Sequence, residues 1–275
     1  MKKIKCIVLL LLTIVLISGC KKAEPCKVAL LHTNPEYQQK EKNIELICKY
    51  SVEAFENGAD IIVAPEMATD DYFVTKEDVV SYAGIKDIEE ELASVAEVAD
   101  KYDGYICMGF PEIAPDGSLY NSAVLFDKEG MVILKERKKA MPSWNKAGDL
   151  QPAVVDTEFG KIGIVICADS YTPENVSVLK DLGASIILSP VTWYSDTMPG
   201  HNSDDNIKTW LARAKENSVW YVVCNRWGIE SQNGKLLDMN NAPSVVVTPD
   251  GKTVLSHTAD DSKIYEDEIL YYEMR

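Results

Sequence analysis

Three residues with complementary chemistry are spread along the chain: Glu66, Lys138 and Cys167. Glu66 closes the apolar run Ile61, Ile62, Val63, Ala64, Pro65, and Cys167 closes Ile162, Gly163, Ile164, Val165, Ile166. Short apolar runs of this kind read as buried strands, so both groups are expected where a strand leaves its sheet. Lys138 lies in the basic stretch Lys135-Glu136-Arg137-Lys138-Lys139. A thiol supplies a nucleophile, a carboxylate a base, and an ammonium a clamp for a developing oxyanion. That set suits attack on an unreactive amide carbon. An ammonium beside the thiol favours its ionised form, as does a helix N-terminus. Cys167 precedes Thr172-Pro173-Glu174, which has the form of a helix cap with proline in the first turn, so both influences are expected on it.

Taken singly, each residue has an ordinary reading: a loop carboxylate, a lysine on an exposed basic face, a core cysteine. Their flanks and order say more. Pro65-Glu66 after a strand, then Arg137-Lys138, then Gly163-Ile164-Val165-Ile166-Cys167-Ala168-Asp169 resemble the three motifs of the carbon-nitrogen hydrolases of the nitrilase superfamily. Leu119-Tyr120-Asn121-Ser122-Ala123, Leu188-Ser189-Pro190 with Trp193, Arg213-Ala214-Lys215-Glu216-Asn217, and Asn225 with Gly228 are similar too. The resemblance covers roughly residues 27 to 270.

The resemblance implies an α/β fold, an α-β-β-α sandwich of two central sheets flanked by helices, and a homodimer or larger homo-oligomer. It implies a Glu66-Lys138-Cys167 triad needing no metal and no organic cofactor. In the expected cycle, Glu66 takes the thiol proton and Cys167 attacks an amide or N-carbamoyl carbon. Lys138 and the Ala168 backbone N–H hold the oxyanion, and water releases the acid from a thioester. Trp193 stands where the family places a pocket residue, and Tyr72 and Trp144 are further candidates for the walls. Arg226 is a candidate for a substrate carboxylate. Asn121 and Asn225 are expected to hold loops, and Arg213 to pair with Glu216.

One departure stands out. The family often carries a second glutamate soon after the lysine, yet residues 139–157 contain none, and Ala140 stands where a histidine is common. Local similarity puts Asn145 in the glutamate's place, with Asp149 and Glu112 as the other candidates.

The N-terminus reads as a targeting segment. Lys2, Lys3 and Lys5 precede an apolar run from Cys6 to Ile17, then Ser18-Gly19-Cys20. This order resembles a bacterial lipobox, with residues 1–19 as a lipoprotein signal peptide, lipid on Cys20, residues 20–26 as tether and 27–275 as the hydrolase domain. The expected location is the extracytoplasmic face of a bacterial cell membrane, lipid-anchored. Removing residues 1–19 takes away three lysines and no acids, leaving 25 basic against 43 acidic residues and a net charge of −18. Such a charge disfavours nucleic acid and anionic lipid alike, so membrane contact is expected through the lipid alone. With Cys20 lipidated five thiols remain, an odd number, and at least one escapes intramolecular pairing. Cys48, Cys107 and Cys224 read as core residues and Cys26 as exposed.

Strand-like and helix-like stretches alternate along the remaining chain. Strands are expected at 27–32, 61–65, 105–110, 122–126, 131–135, 185–189 and 220–224. Helices are expected at 36–57, 88–102, 174–182 and 204–217. A last strand pair, 244–248 and 253–256, flanks the turn Pro249-Asp250-Gly251.

Competing readings are an acyltransferase using the same thioester, a binding lipoprotein with weakened turnover, and a Cys-His hydrolase. The last has little behind it, because His32, His201 and His257 carry no supporting motif and no metal-ligand spacing.

Overall fold

A computed structural model describes residues 24–140, 144–194, 203–232, 235–240, 242–257 and 266–275. The expected signal segment, Cys20 and His201 lie outside the described residues.

The first half of the chain builds one sheet and its helical cover. It comprises β1 (Cys26–His32), α1 (Lys40–Glu56), β2 (Ile61–Val63), α2 (Lys76–Asp78), α3 (Ile88–Glu91), α4 (Ala93–Tyr102), β3 (Tyr105–Ile113), β4 (Leu119–Phe126) and β5 (Val132–Arg137). The second half contributes β6 (Val155–Thr157), β7 (Gly160–Ile164), α5 (Pro173–Asp181), β8 (Ile186–Pro190), α6 (Ser203–Asn217) and β9 (Trp220–Cys224). It ends in β10 (Ile229–Gln232), β11 (Lys235–Asp238), β12 (Ser244–Val247), β13 (Thr253–His257) and β14 (Glu268–Met274).

Two six-stranded sheets result, ordered β14-β1-β2-β3-β4-β5 and β13-β12-β9-β8-β7-β6, with β10-β11 as a separate hairpin. The centre of each sheet is parallel: β1, β2 and β3 in one, β7, β8 and β9 in the other. Parallel strands covered on both faces explain why their sequences are continuously apolar.

The period of two decides which way each side chain points. Leu30, Val63 and Cys107 join Ile164, Leu188 and Val222 in the core between the sheets. Their neighbours Ala29, Leu31, Ile62 and Ile106 pack outward against Ile44, Ile47 and Phe55 of α1 and Val95 and Ala99 of α4. On the far side, Val176 and Leu179 of α5 and Trp210 and Ala214 of α6 cover the second sheet. Each fully buried large apolar side chain contributes about 1.5–3 kcal/mol, so the four layers are tied at both outer faces as well as at the centre. The expected α-β-β-α sandwich is the fold.

Several boundaries moved for identifiable reasons. α1 begins at Lys40 because Asn43 binds the turn ahead of it, accepting from Glu36 N–H at 2.9 Å and donating to Glu36 O at 2.8 Å. The helix expected over 88–102 is broken at Leu92, with Asp87 capping the first piece through Glu90 N–H at 3.1 Å. β14 was not expected at all. Its charged residues interrupt the apolar pattern, yet it pairs with β1 along its whole length.

All five described cysteines are free thiols. Cys107 and Cys224 are core residues as expected; Cys48 is only half-buried, and Cys26 is buried rather than exposed, because its side chain packs in the core between the sheets.

Candidate active site

The triad candidates meet beyond the carboxyl ends of the parallel strands, where an open α/β sheet leaves a crevice. After β2, Ala64 N–H still donates to Cys107 O, and the chain then turns through Pro65-Glu66 to Met67, whose φ is +55°. The turn fits only because residue 109 is glycine. A Cβ at Gly109 would lie 2.7 Å from Glu66 Cα and 2.9 Å from Met67 N. Gly109→Ala therefore has to push the backbone that carries Glu66. We expect it to lower stability by about 1–3 kcal/mol and to reduce turnover, as checked by urea unfolding and ammonia release on one preparation.

Glu66 is fully buried, and donors hold both of its carboxylate oxygens. Oε1 accepts from Lys138 Nζ at 2.5 Å and from Asn121 Nδ2 at 2.7 Å, while Oε2 accepts from Thr192 N–H at 2.8 Å. Thr192 Oγ1 also donates to Glu66 O at 3.1 Å. A buried carboxylate persists only when paired and hydrogen-bonded, and these donors satisfy that condition.

Lys138 follows β5 and is 1% exposed, in contrast to the solvated face its basic run suggests. Its backbone is clamped: Lys138 N–H donates to Asn121 O at 2.8 Å and Gly148 N–H to Lys138 O at 2.9 Å. Asp169 braces the next two residues by accepting from Lys139 N–H at 2.9 Å and Ala140 N–H at 2.7 Å. Burial by itself lowers the ammonium's pKa, but the charge of Glu66, aided by Tyr72 and Cys167, outweighs it and holds the group well above its ordinary value. Lys138 is thus a fixed cation. The Tyr72 hydroxyl lies 3.4 Å from its Nζ.

Cys167 opens a 3-10 turn, Cys167–Tyr171, placed between β7 and α5. Its φ is +47°, a left-handed conformation that costs a non-glycine residue about 1–3 kcal/mol and is found where side-chain placement matters. The Sγ lies 3.6 Å from Thr192 O.

Here the expectation of a readily ionised thiol is corrected. Burial pushes the Cys167 pKa well up and the Glu66 charge adds to that, against an opposing but smaller effect of Lys138. The helix end gives little help, because α5 starts only after the 3-10 turn, and Thr172 makes no side-chain cap. The resting group is a neutral thiol beside a carboxylate.

The thiol faces an open cleft lined by Tyr72, Cys167, Ala168, Tyr171, Thr192, Trp193 and Tyr194. Trp193 is fixed from behind by Asn225, which accepts from its N–H at 2.8 Å and donates to its carbonyl at 3.1 Å. Asn225 thus holds a loop as expected, and Arg213 pairs with Glu216 at 2.8 Å. Asn121 does not hold a loop alone; it holds Glu66.

The other candidates lie elsewhere. Trp144 packs with Met67, Val74 and Leu119 in a small separate cluster. Arg226 is buried, donating to Asp70 O and Pro35 O and pairing with Glu230 at 2.8 Å, so its guanidinium is committed away from the cleft. Glu112 takes Lys135, Arg137 and Ser122 as partners, and Asp149 takes Arg137 and Tyr120. Asn145 donates to Ala140 O and Lys146 O. None of the three candidates for a second acid is bonded to Glu66, Lys138 or Cys167; the neutral donors Asn121 and Thr192 orient Glu66 instead. His32 is bound to Asn225 O and Ser244 Oγ, and His257 to Glu268, all apart from the thiol.

Thr192, Asp169, Tyr171 and Tyr194 were missed in the sequence. The available signal was proximity: each lies within a few residues of Cys167 or Trp193.

The chain belongs to the carbon-nitrogen hydrolase family, whose model matches residues 27–270. A nitrilase of Pyrococcus abyssi is 33% identical over 210 residues, covering 74% of this chain and 76% of that protein. A citrullinase of Francisella tularensis is 28% identical over 220 residues, covering 75% and 76%. Among solved structures, Saccharomyces cerevisiae Nit3, a member of branch 10 of the nitrilase superfamily, superposes with a TM-score of 0.77 at 23% identity, covering 90% of this chain and 89% of that one.

Proposed function

We propose that the protein is a thiol-dependent hydrolase of a non-peptide carbon-nitrogen bond, working through a thioester on Cys167. The observation that carries this reading is the buried constellation at the cleft floor: a Glu66 carboxylate held by three donors, one of them Lys138, beside a strained cysteine open to the cleft.

The geometry supports a concerted first step. A neutral thiol attacks weakly, so its proton passes to Glu66 as sulfur bonds to the substrate carbon. The carbonyl π electrons move onto oxygen, where the Lys138 ammonium and the Ala168 N–H stabilise them. Ala168 belongs to the first turn of the 3-10 helix, where amides lack intrahelical acceptors. Glu66 then gives the proton to the departing nitrogen, the C–N bond breaks and ammonia or an amine leaves. In the second half Glu66 takes a proton from water, hydroxide displaces sulfur, and the acid and the thiol are restored.

The walls suggest a preference. Aromatic rings dominate them, and no lysine or arginine is among the described lining residues. The sequence neighbours 141–143 and 195–202 contain none either. An uncharged, planar or apolar acyl group fits such walls, while a free carboxylate would be desolvated there without a cation. The relatives named nitrilase and citrullinase act on different carbon-nitrogen bonds, so a panel of amides, N-carbamoyl compounds and nitriles, read by ammonia release, is the test. Neutral aromatic amides should exceed carboxylate-bearing analogues by about 10-fold or more in kcat/KM, since an unpaired buried charge costs several kcal/mol. A preference for the carboxylates would overturn the assignment of the walls.

The lipobox pattern further supports residues 1–19 as a removed signal, lipid on Cys20 and an extracytoplasmic location. The mass of the mature N-terminal peptide tests this. The family resemblance supports a homodimer, which sedimentation checks.

A further inference from the structure

The chain enters the fold at the pole of the sandwich opposite the cleft. β1 starts at Cys26 and runs parallel to β2, with Val28 beside Ile61 and Leu30 beside Val63, and Glu66 lies past the far end of that pair. The second sheet agrees. Glu24 N–H donates to Glu158 O at 3.1 Å, and Glu158 lies in the turn that starts β7, the strand whose other end leads to Cys167. Residues flanking the cleft follow the carboxyl ends of β2, β7 and β8.

Magnitudes decide what this allows. At about 3.3 Å per residue, β1 alone separates the two poles by about 20 Å. From Cys20 to the anchored Glu24, a fully extended chain reaches at most about 14 Å. The tether is therefore shorter than the straight distance between the poles, and any route to the cleft would have to go around the outer helices.

We propose that the protein, lipidated at Cys20, stands on the membrane with its cleft facing away from the bilayer, so that its substrate is a water-soluble amide and never a bilayer-embedded one. This rests on the lipid-tether reading of Cys20. At the membrane-side pole Lys128 pairs with Asp103 and Glu158, and Lys161 with Asp156, so two lysines offset part of the charge of three acids, and the lipid must hold the protein against the repulsion of anionic headgroups. An acyl transfer that draws on membrane phospholipid is excluded by the same geometry.

The test uses the full-length lipidated protein in vesicles containing a lipid with a nitroxide headgroup. A fluorophore is placed at exposed Glu129→Cys, in the turn between β4 and β5 at the Glu24 pole, or at exposed Lys76→Cys, on the cleft side, with the unsubstituted protein as blank. The first label should lose most of its emission and the second should match nitroxide-free vesicles. Equal quenching, or the reverse, overturns the orientation. A kinetic arm uses a soluble aromatic amide and the same amide anchored on a diacylglycerol. The anchored form should react at least about 100-fold more slowly, because a tether unable to span gives no effective concentration. Inserting about 20 Gly and Ser residues after Ala23, which reach about 25 Å, should recover it. Fast turnover of the anchored amide on the native tether also overturns the proposal. Absence of lipid on Cys20 by mass spectrometry overturns it through the tether, whereas unchanged hydrolysis by Cys167→Ala defeats the hydrolase reading and leaves the fluorescence result standing.

Discussion

Cys167→Ala is expected to reduce ammonia release by at least about 10³-fold while the fold survives, since removing a nucleophile that acts as one unit with its base removes nearly all of their joint effect. The site tolerates the change because losing the thiol removes only a 3.6 Å contact to Thr192 O and an interaction with Glu66, whose carboxylate keeps its donors Lys138, Asn121 and Thr192. Unfolding should shift by about 1 kcal/mol or less, within the range of a small core truncation. The neutral resting thiol adds a second reading of the same pair of proteins. A group whose pKa is raised stays protonated to higher pH, so the wild-type kcat/KM should not climb tenfold per unit between about pH 7 and 9, as it would if a free thiolate with an ordinary pKa were the attacking form. Alkylation of Cys167 by a small neutral reagent should likewise be slow at pH 7. Fast alkylation, with a rate following an ordinary thiol titration, would mean that the thiolate pre-exists and that Glu66 is not the acceptor of its proton.

How much of this was legible in the sequence depended on whether the cause was local. The strand runs at 61–65 and 162–166 are apolar because both of their faces are covered, and that demand is written in consecutive residues. The positions of Glu66 and Cys167 after them followed directly. The helix break at Leu92 and the late start of α1 were less legible, because each is decided by a side-chain bond to a turn that a 3.6-residue period does not register. Burial of Lys138 was invisible for a different reason. Its neighbours Lys135 and Arg137 do pair with acids on the other side of the strand, the buried Glu112 and the exposed Asp149, and only the alternation of β5 and the clamp from Asn121 turn Lys138 toward Glu66. Arg226 shows the opposite failure: a lone arginine after a strand looks free, yet Asp70 and Pro35 from distant parts of the chain, and Glu230 four residues on, surround it. The missing second glutamate, a real gap in the sequence, is bridged in space by two neutral residues, Asn121 and Thr192, whose hydrogen bonds to Glu66 come from separate sheets.

Lys138→Met should damage both stability and activity, and the two losses can be separated. Removing the ammonium leaves Glu66 buried with only its amide donors, and an uncompensated buried charge of this kind costs about 3–5 kcal/mol. The wild-type contribution is insensitive to pH near neutrality. A lysine whose folded pKa lies above its unfolded value contributes stability that is complete below about pH 10 and is lost only as the pH climbs through the folded value. Urea unfolding at pH 7 should therefore report the full effect of the substitution. Adding Glu66→Gln removes the stranded charge, so the double variant should regain a large part of the stability lost by Lys138→Met. Turnover should not return, because the double variant has neither a base for the thiol proton nor a cation for the oxyanion, and removing one such oxyanion group alone costs about 10²–10³-fold. Recovery of stability without activity would mean that the ion pair is kept for chemistry at some expense to the fold, since a neutral pair can fill the same space. If the double variant were no more stable than Lys138→Met, the penalty would lie in lost packing around the lysine stem and not in a stranded charge.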